Sequence, residues 1–334
     1  YAENLTSTFA DPLSTVMFTC TGSEANDLAL RVARHATGAM GIICTRETYH
    51  GNTSAVDELA TLFRAGEAVG AHVKSVPFPD GYRPEGGLQD QELCDAYLRS
   101  IDQAIAEFQQ EGIGFAGVLV CPIFANEAVP NVPAGYLNGV AERVQAHNGL
   151  LIFDEVQSGN GRCGALYVFQ RLGITPDILA TAKGLGNGLP IGACMTRGRA
   201  RELLIAGDHG TTYGGNPICC AAASAVINTL SGEQLWNRAD KIRDAIFEGL
   251  DAELLDPGLV RDRRGIGLMI GIEPTVATTN LVKLALDRRV LVNVAGGNTI
   301  RLLPPLVMNL DDARMVGATI ADILNALKDD KGQA

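Results

Sequence analysis

Lysine is scarce in this 334-residue chain, with six in all, and aromatic residues make up only 5% of it, including a single tryptophan. The longest apolar runs, residues 115–121 and 219–227, fall well short of the roughly 18 residues that cross a bilayer. No membrane span is therefore expected. Five histidines contain neither a His-x-x-x-His nor a His-Glu-x-x-His spacing, so no metal site is expected either. The eight cysteines form no Cys-x-x-Cys pair and mostly sit in apolar patterns. They read as the reduced, buried thiols of a cytoplasmic protein. Positive charge is also short: 27 Lys and Arg against 38 Asp and Glu give a net charge of −11. Nucleic acid and anionic membrane surfaces would be repelled by such a chain, so any anion must be held locally. The opening Tyr1-Ala2-Glu3-Asn4-Leu5 lacks the charged-then-apolar layout of a signal peptide, and the sequence is expected to start inside a longer polypeptide.

From residue 14 to about 230, short apolar runs alternate with amphipathic helical patterns. Strands are expected at Val16–Thr19, Gly41–Thr45, His72–Val76, Ala116–Cys121, Leu150–Asp154, Ile178–Thr181 and Ile191–Met195. Between them, apolar residues recur at helical spacing over Ala25–Ala36, Leu93–Phe108 and Leu137–Val144. This α/β alternation predicts a large domain, residues 1–230, built on a mainly parallel seven-stranded sheet with helices on both faces. Its last helix opens at Asn216-Pro217, a capping residue followed by proline. Residues 231–334 read as a smaller α+β domain, with a helix at Leu235–Leu250, strands at Gly267–Ile272, Val290–Val294 and Thr299–Leu303, and a closing helix at Asp311–Leu327.

Ligands of open α/β sheets collect at the carboxyl ends of the strands, so chemistry is sought there. Lys183 follows the strand Ile178–Thr181 and enters the glycine-rich run Gly184-Leu185-Gly186-Asn187-Gly188. The other five lysines lie on helical patterns, in a short strand or in the polar tail, which makes Lys183 the candidate nucleophile. Taken alone it reads equally as a surface lysine capping a turn. Thr21-Gly22-Ser23-Glu24-Ala25 opens a helix after the first strand, a place where free N–H groups meet a phosphate, although a plain serine cap is the alternative. Asp154 ends a buried strand and is placed to hold a pyridinium nitrogen; a turn aspartate is the plainer reading. A lysine for an aldehyde, an aspartate for a ring nitrogen and a helix start for a phosphate together are what pyridoxal phosphate requires. The glycines of 184–188 also raise a nicotinamide dehydrogenase, but Leu189 stands where the Gly-x-Gly-x-x-Gly pattern needs glycine and no helix pattern follows.

Six segments carry a resemblance: Thr21-Gly22-Ser23-Glu24-Ala25-Asn26, Tyr49-His50-Gly51, Phe153-Asp154-Glu155-Val156-Gln157 with Gly161-Arg162, Lys183 to Gly188, Thr212-Tyr213-Gly214-Gly215-Asn216-Pro217, and Ile300-Arg301-Leu302-Leu303-Pro304-Pro305. In this order, over residues 5–325, they resemble the class III aminotransferases, pyridoxal-phosphate enzymes of fold type I. The resemblance implies that Lys183 is the Schiff-base lysine and the base that moves the Cα proton. It gives Asp154 to the ring nitrogen, Val156 to the ring face and Gln157 to the phenolic oxygen. Gly22 and Ser23 would hold the phosphate and Tyr49 would stack on the ring. Thr212 would reach the phosphate of the neighbouring subunit, which implies a homodimer with shared sites. Arg301 would bind a substrate carboxylate. Without the resemblance, Tyr49 reads as a core aromatic; a solvated strand residue is the alternative for Arg301, but the Pro304-Pro305 turn beyond it favours the ligand role, and His50 and His209 carry no derivable role.

Two departures stand out. Members usually carry a further N-terminal segment that helps form the small domain and the mouth of the partner's site, and it is not present here. Cys121-Pro122 replaces a common Glu-Pro, and Ile123-Phe124-Ala125-Asn126-Glu127 replaces a glycine-rich stretch. The expected activity is transfer of an amino group from an amine or amino acid to a small 2-oxo acid such as pyruvate. A phospho-lyase acting on an amino alcohol phosphate and a non-catalytic paralogue are the alternatives.

Overall fold

The computed structural model describes residues 1–9, 13–63, 70–203 and 207–331. Its larger sheet holds β1 (Thr15–Thr19), β2 (Gly41–Thr45), β3 (Val73–Val76), β4 (Phe115–Val120), β5 (Leu150–Asp154), β6 (Ile178–Thr181) and β7 (Gly192–Thr196) in the spatial order β1-β7-β6-β5-β4-β2-β3. Strand β7 is antiparallel to both its neighbours, and the other adjacent pairs are parallel. All seven strands fall where the apolar runs predict them.

The central strands β4, β5 and β6 read as largely apolar segments because both faces of the sheet are covered there, whereas β3 at the edge carries Lys74 and Ser75. Successive side chains point to opposite faces. Leu151, Phe153 and Leu179 accordingly join one core with the helices Asp90–Gln110, Tyr136–Ala146 and Pro217–Glu233. Leu150, Ile152 and Ile178 join another with the helix Gly22–Thr37. The helix Pro217–Glu233 starts as its sequence predicts: Asn216 Oδ1 accepts from the Cys219 amide at 3.0 Å, with Pro217 in the first turn.

A second sheet is antiparallel throughout, in the order β10-β11-β9-β8, from β8 (Val260–Ile266), β9 (Met269–Pro274), β10 (Asn293–Ala295) and β11 (Thr299–Leu302). It is backed by the helices Ala239–Glu253 and Leu310–Lys331. These two helices approach closely: a Cβ on Gly249 would lie 2.0 Å from the Arg314 carbonyl, and one on Gly317 would lie 2.0 Å from the Ile246 carbonyl. The first core extends to Leu235, and the second begins at Ala239.

Several details of this region differ from expectation. Strand β8 was not anticipated, because Arg261, Asp262, Arg263 and Arg264 break any apolar pattern. The strand expected at Gly267–Ile272 begins at Met269, since Gly267 and Leu268 form the β8–β9 turn, with Gly267 at φ +56°. The helix expected from Leu235 begins at Ala239, after a single 3-10 turn over Leu235–Arg238. The strand expected at Val290–Val294 is confined to Asn293–Ala295. Among the described residues no helix is long and apolar enough to cross a membrane, and no group of three or more His, Cys, Asp or Glu is placed to hold a metal ion.

Candidate active site

The carboxyl ends of β1, β5 and β6 open onto one cavity of about 420 Å³, within the roughly 300–1,000 Å³ usual for small-molecule sites. Gly22, Ser23, Tyr49, Asp154, Val156, Gln157 and Lys183 all line it, so seven of the residues singled out in the sequence are brought together. Thr212 and Arg301 are not among its lining residues.

Lys183 begins a 3-10 turn immediately after β6, at φ +45°. A non-glycine residue in the left-handed region is uncommon and strained, and such strain concentrates at functional sites. Opposite it, the helix Gly22–Thr37 starts with Thr21 as its cap. Thr21 Oγ1 accepts from the Glu24 amide at 3.1 Å, and Glu24 returns a carboxylate oxygen to the Cys20 amide at 2.6 Å. The cap is therefore Thr21 rather than Ser23. This leaves the Gly22 and Ser23 amides with no acceptor among the described residues, an arrangement that favours an anion at the positive end of the helix. Space is tight here. A Cβ on Gly22 would lie 2.8 Å from both Val156 methyls, and one on Gly51, at φ +145°, would lie 2.6 Å from Ser23 Oγ.

Asp154 ends β5, nearly buried, and its carboxylate receives three donors. Asn26 Nδ2 donates to Oδ2 at 2.9 Å, His50 Nδ1 to the same oxygen at 2.7 Å, and the Val156 amide to Oδ1 at 3.0 Å. Asn26 Nδ2 also donates to the His50 carbonyl at 2.8 Å, so both of its neighbours are acceptors and its orientation is fixed. These bonds aim the carboxylate into the cavity. The His50 ring is fully buried, and its Nε2 lies 3.1 Å from Thr48 Oγ1. Sequence reasoning gave His50 no role and met Asn26 only as the last residue of the Thr21-to-Asn26 segment. Residues 26, 50 and 154 lie far apart along the chain, so spacing carried no signal; only their membership in the motifs around Thr21 and Tyr49 hinted at it.

Cys121 also lines the cavity, and burial, with the Asp154 charge adding to it, pushes its thiol up to about 12. Glu155, next to Asp154, points the other way. Both its oxygens accept backbone amides, Val168 at 2.6 Å and Phe169 at 2.8 Å, yet burial raises it to about 8. Arg301, on β11, donates from Nη1 to the Ala125 carbonyl at 2.8 Å and more weakly to Asn126 Oδ1 at 3.4 Å. Its Nε is buried without a partner among the described residues. Burial lowers its pKa, although Cys121 and Glu127 oppose that effect. Asn126 itself lines the cavity, so Arg301 stands one residue behind the wall. Thr212 is exposed, as are Tyr213 at 71% and Ile218 at 74% exposure.

An amine, a buried carboxylate, a pair of free helix-start amides and a β-branched wall residue form the donor set that an aromatic aldehyde bearing a phosphate needs. The residues fit that cofactor.

Comparison with known proteins gives the same result. The model of the family described as aminotransferase class-III matches residues 1–324. The acetylornithine aminotransferase of Methanothermobacter thermautotrophicus is 36% identical over 325 residues, covering 95% of this chain and 77% of that protein. Its counterpart in Mycolicibacterium smegmatis is 38% identical over 299 residues, covering 88% and 70%. Among solved structures, a phospholyase from Arthrobacter in complex with phosphoethanolamine superposes with a TM-score of 0.90 at 35% identity, covering 98% of this chain and 81% of that one. The omega transaminase of Pseudomonas jessenii in complex with PMP gives a TM-score of 0.87 at 25% identity, covering 98% and 78%. The fold, the cofactor-shaped site and these relatives agree: the chain belongs to the class III aminotransferases, a family of pyridoxal-phosphate-dependent enzymes.

Proposed function

We propose that this protein moves an amino group from an amino acid or amine to a small 2-oxo acid such as pyruvate, with Lys183 and Asp154 as its catalytic residues. The observation that carries the reading is the convergence of Lys183, Asp154 and the free Gly22 and Ser23 amides on one cavity. When bound, pyridoxal phosphate supplies a ring that withdraws electrons from the substrate carbon and carries the amino group between the two half-reactions. The protein's own groups do the rest. Lys183 Nζ takes the proton from the substrate Cα and returns it, and Asp154 holds the ring nitrogen protonated. Gln157 donates to the phenolic oxygen, Val156 and Tyr49 confine the ring, and Gly22 with Ser23 hold the phosphate. Arg301 binds the substrate carboxylate, supported by its partnerless Nε and its place behind Asn126.

In this reading residues 1–230 carry the cofactor and residues 231–334 supply Arg301 for the substrate. The working unit is a homodimer in which Thr212 contacts the neighbouring subunit's phosphate. The exposed Tyr213 and Ile218, from the same stretch of chain, support a buried position in such a dimer. A cytoplasmic location accompanies the proposal, supported by eight free cysteines. The relatives make acetylornithine the first amino donor to try.

One observation favours a second reading: the 35% identity and 0.90 TM-score to a phospholyase. The same site would then eliminate phosphate from an amino alcohol phosphate such as phosphoethanolamine. The deciding experiment adds single donors to the loaded protein without an acceptor and follows the visible spectrum, with Lys183→Ala as control. Stoichiometric bleaching reversed by an oxo acid supports transamination. Ammonia and inorganic phosphate released without any acceptor support the lyase.

A further inference from the structure

The backbone of Lys183 is strained, and its neighbours must hold it so. Its φ of +45° is a conformation that residues other than glycine keep only where the surroundings enforce it. The turn supplies one bond of its own, from the Leu185 amide to the Ala182 carbonyl at 2.9 Å. A second hold comes from outside the turn. Asn160, 7% exposed, donates from Nδ2 to that same Ala182 carbonyl at 3.2 Å and to Thr181 Oγ1 at 3.1 Å. On the other side of Lys183, Gly184 lies against the same side chain: a Cβ there would stand 3.3 Å from Asn160 Cβ. Asn160 thus meets the residue before the lysine and the residue after it, although it is not among the residues that line the cavity.

This side chain belongs to the connection that follows β5, the same connection that carries Val156 and Gln157. Strands β5 and β6 are parallel neighbours, and their backbone pairing closes with the Glu155 amide donating to the Ala180 carbonyl at 2.9 Å. Beyond that point Asn160 continues the link with a side chain. Chemistry fixes the orientation of its amide, because a backbone carbonyl only accepts and the nitrogen must face Ala182. The oxygen at the other end, Oδ1, is buried with no partner among the described residues. A buried acceptor without a donor costs stability, so this asparagine is a poor choice for stability alone. Asn160 also stands at φ +56°, which asparagine tolerates better than most side chains. That backbone explains a small polar residue here but not the aim of its donor.

We propose that Asn160 is a positioning residue for Lys183: by gripping Ala182 and packing on Gly184 it fixes the peptide from which the amine reaches the cofactor aldehyde and the substrate Cα. This rests on the role given to Lys183 above. The grip ties the lysine to the connection that carries the ring-facing Val156, so amine and ring keep one spacing. Without it the Ala182 carbonyl still has the Leu185 amide, so the turn survives while the peptide under Lys183 gains freedom. A displacement of about 1 Å at reacting atoms is enough to slow a reaction about 10²-fold.

The test compares two forms of the cofactor that differ in their need for the lysine. Pyridoxal phosphate is joined to it: the lysine nitrogen forms a C=N bond with the aldehyde carbon, and the aldehyde oxygen leaves as water. Pyridoxamine phosphate has no aldehyde and forms no such bond. Asn160→Gly removes the amide and suits the left-handed backbone. It is expected to raise the dissociation constant of pyridoxal phosphate roughly tenfold and to leave that of pyridoxamine phosphate within about twofold, both read by equilibrium dialysis. The kcat should fall by about 10²-fold with the donor KM within about twofold. In a Lys183→Ala background Asn160→Gly should change neither dissociation constant, since the residue it positions is gone. Equal weakening of both forms, a loss that persists undiminished in the Lys183→Ala background, or wild-type binding and turnover each overturn the proposal. If Asn160→Gly does not fold, Asn160→Asp, which suits the same backbone and sets an oxygen against the Ala182 carbonyl, is read in the same way. A Lys183→Ala protein that prefers the aldehyde form as strongly as wild type overturns the role of Lys183 itself, and the proposal with it.

Discussion

His50 Nδ1 donates to Asp154 Oδ2 across 2.7 Å, and the His50 side chain is itself fully buried. The contact fixes one carboxylate oxygen while the backbone amide of Val156 fixes the other. Replacing Asp154 by asparagine preserves the shape and removes the charge. Asp154→Asn is expected to retain cofactor and lower kcat by about 10²–10³-fold, the scale of losing one preorganised electrostatic partner. Stopped-flow rates of amino-donor consumption, with cofactor content measured by absorbance, check this.

Gly22→Ala should weaken cofactor binding without touching Lys183 or Asp154. The new methyl meets the stiff, β-branched Val156 at 2.8 Å, so either the helix start or Val156 must move. Overpacking of this kind costs about 1–3 kcal/mol, equivalent to a roughly 5- to 150-fold rise in the cofactor dissociation constant, read by equilibrium dialysis.

Arg301→Gln separates two classes of donor. For a donor with a carboxylate, losing a charge-assisted contact worth about 1.5–3 kcal/mol should raise KM by roughly ten- to a hundredfold. A primary amine without a carboxylate should keep its KM within about twofold. An equal rise for both donors would mean that Arg301 acts only by bracing Ala125 and Asn126.

The buried acid Glu155 makes stability depend on pH. Its folded-state pKa, about 8, lies above the ordinary carboxyl value, so the stability it contributes is fully present at low pH and is lost as pH rises through 8. Glu155→Gln lacks that titration. It forfeits part of the acceptor pair for Val168 and Phe169 at every pH, but the gap to wild type should narrow by roughly 1.4 kcal/mol per unit as pH rises from about 5 toward 8. Urea unfolding at several pH values measures the gap.

Arg264→Ala should be severe. Its guanidinium bonds Asp262 at 2.6 Å, Glu273 at 3.2 Å and the Val129 carbonyl at 2.8 Å, with only 4% of the side chain exposed. Breaking a buried pair by removing one partner costs about 3–5 kcal/mol, measured by the denaturant midpoint.

The larger sheet was legible in the sequence because its central strands, buried on both faces, are largely apolar, as in Phe115–Val120 and in Leu150–Asp154 up to its terminal aspartate. Strand β8 was not, because its exposed positions alternate with Asp262 and Arg264, and Arg264 is buried among partners that include Glu273 on another strand and the distant Val129 carbonyl. The same reason hid the surroundings of Asp154. Motif order picked out the side chains that line the cavity, whereas those that support them are reached through hydrogen bonds spanning 128 and 104 residues of chain. Glu127 was visible only as a departure. Nothing local announces that its carboxylate will meet Thr45, 82 residues away.

The reversal of β7 bears on how far Lys183 can travel. Since β6 and β7 are antiparallel neighbours, the connection from Ala182 to Ile191 leaves the sheet and returns beside its own starting point, and residues at both of its ends line the cavity. The backbone under Lys183 is moored on two sides and is already held in a left-handed conformation. Whatever is joined to Nζ is therefore on a leash of four methylene groups from a stationary post. The reach of the amine is therefore set by its side-chain torsions alone, and lengthening or stiffening that leash by one atom would alter it while leaving the fold intact.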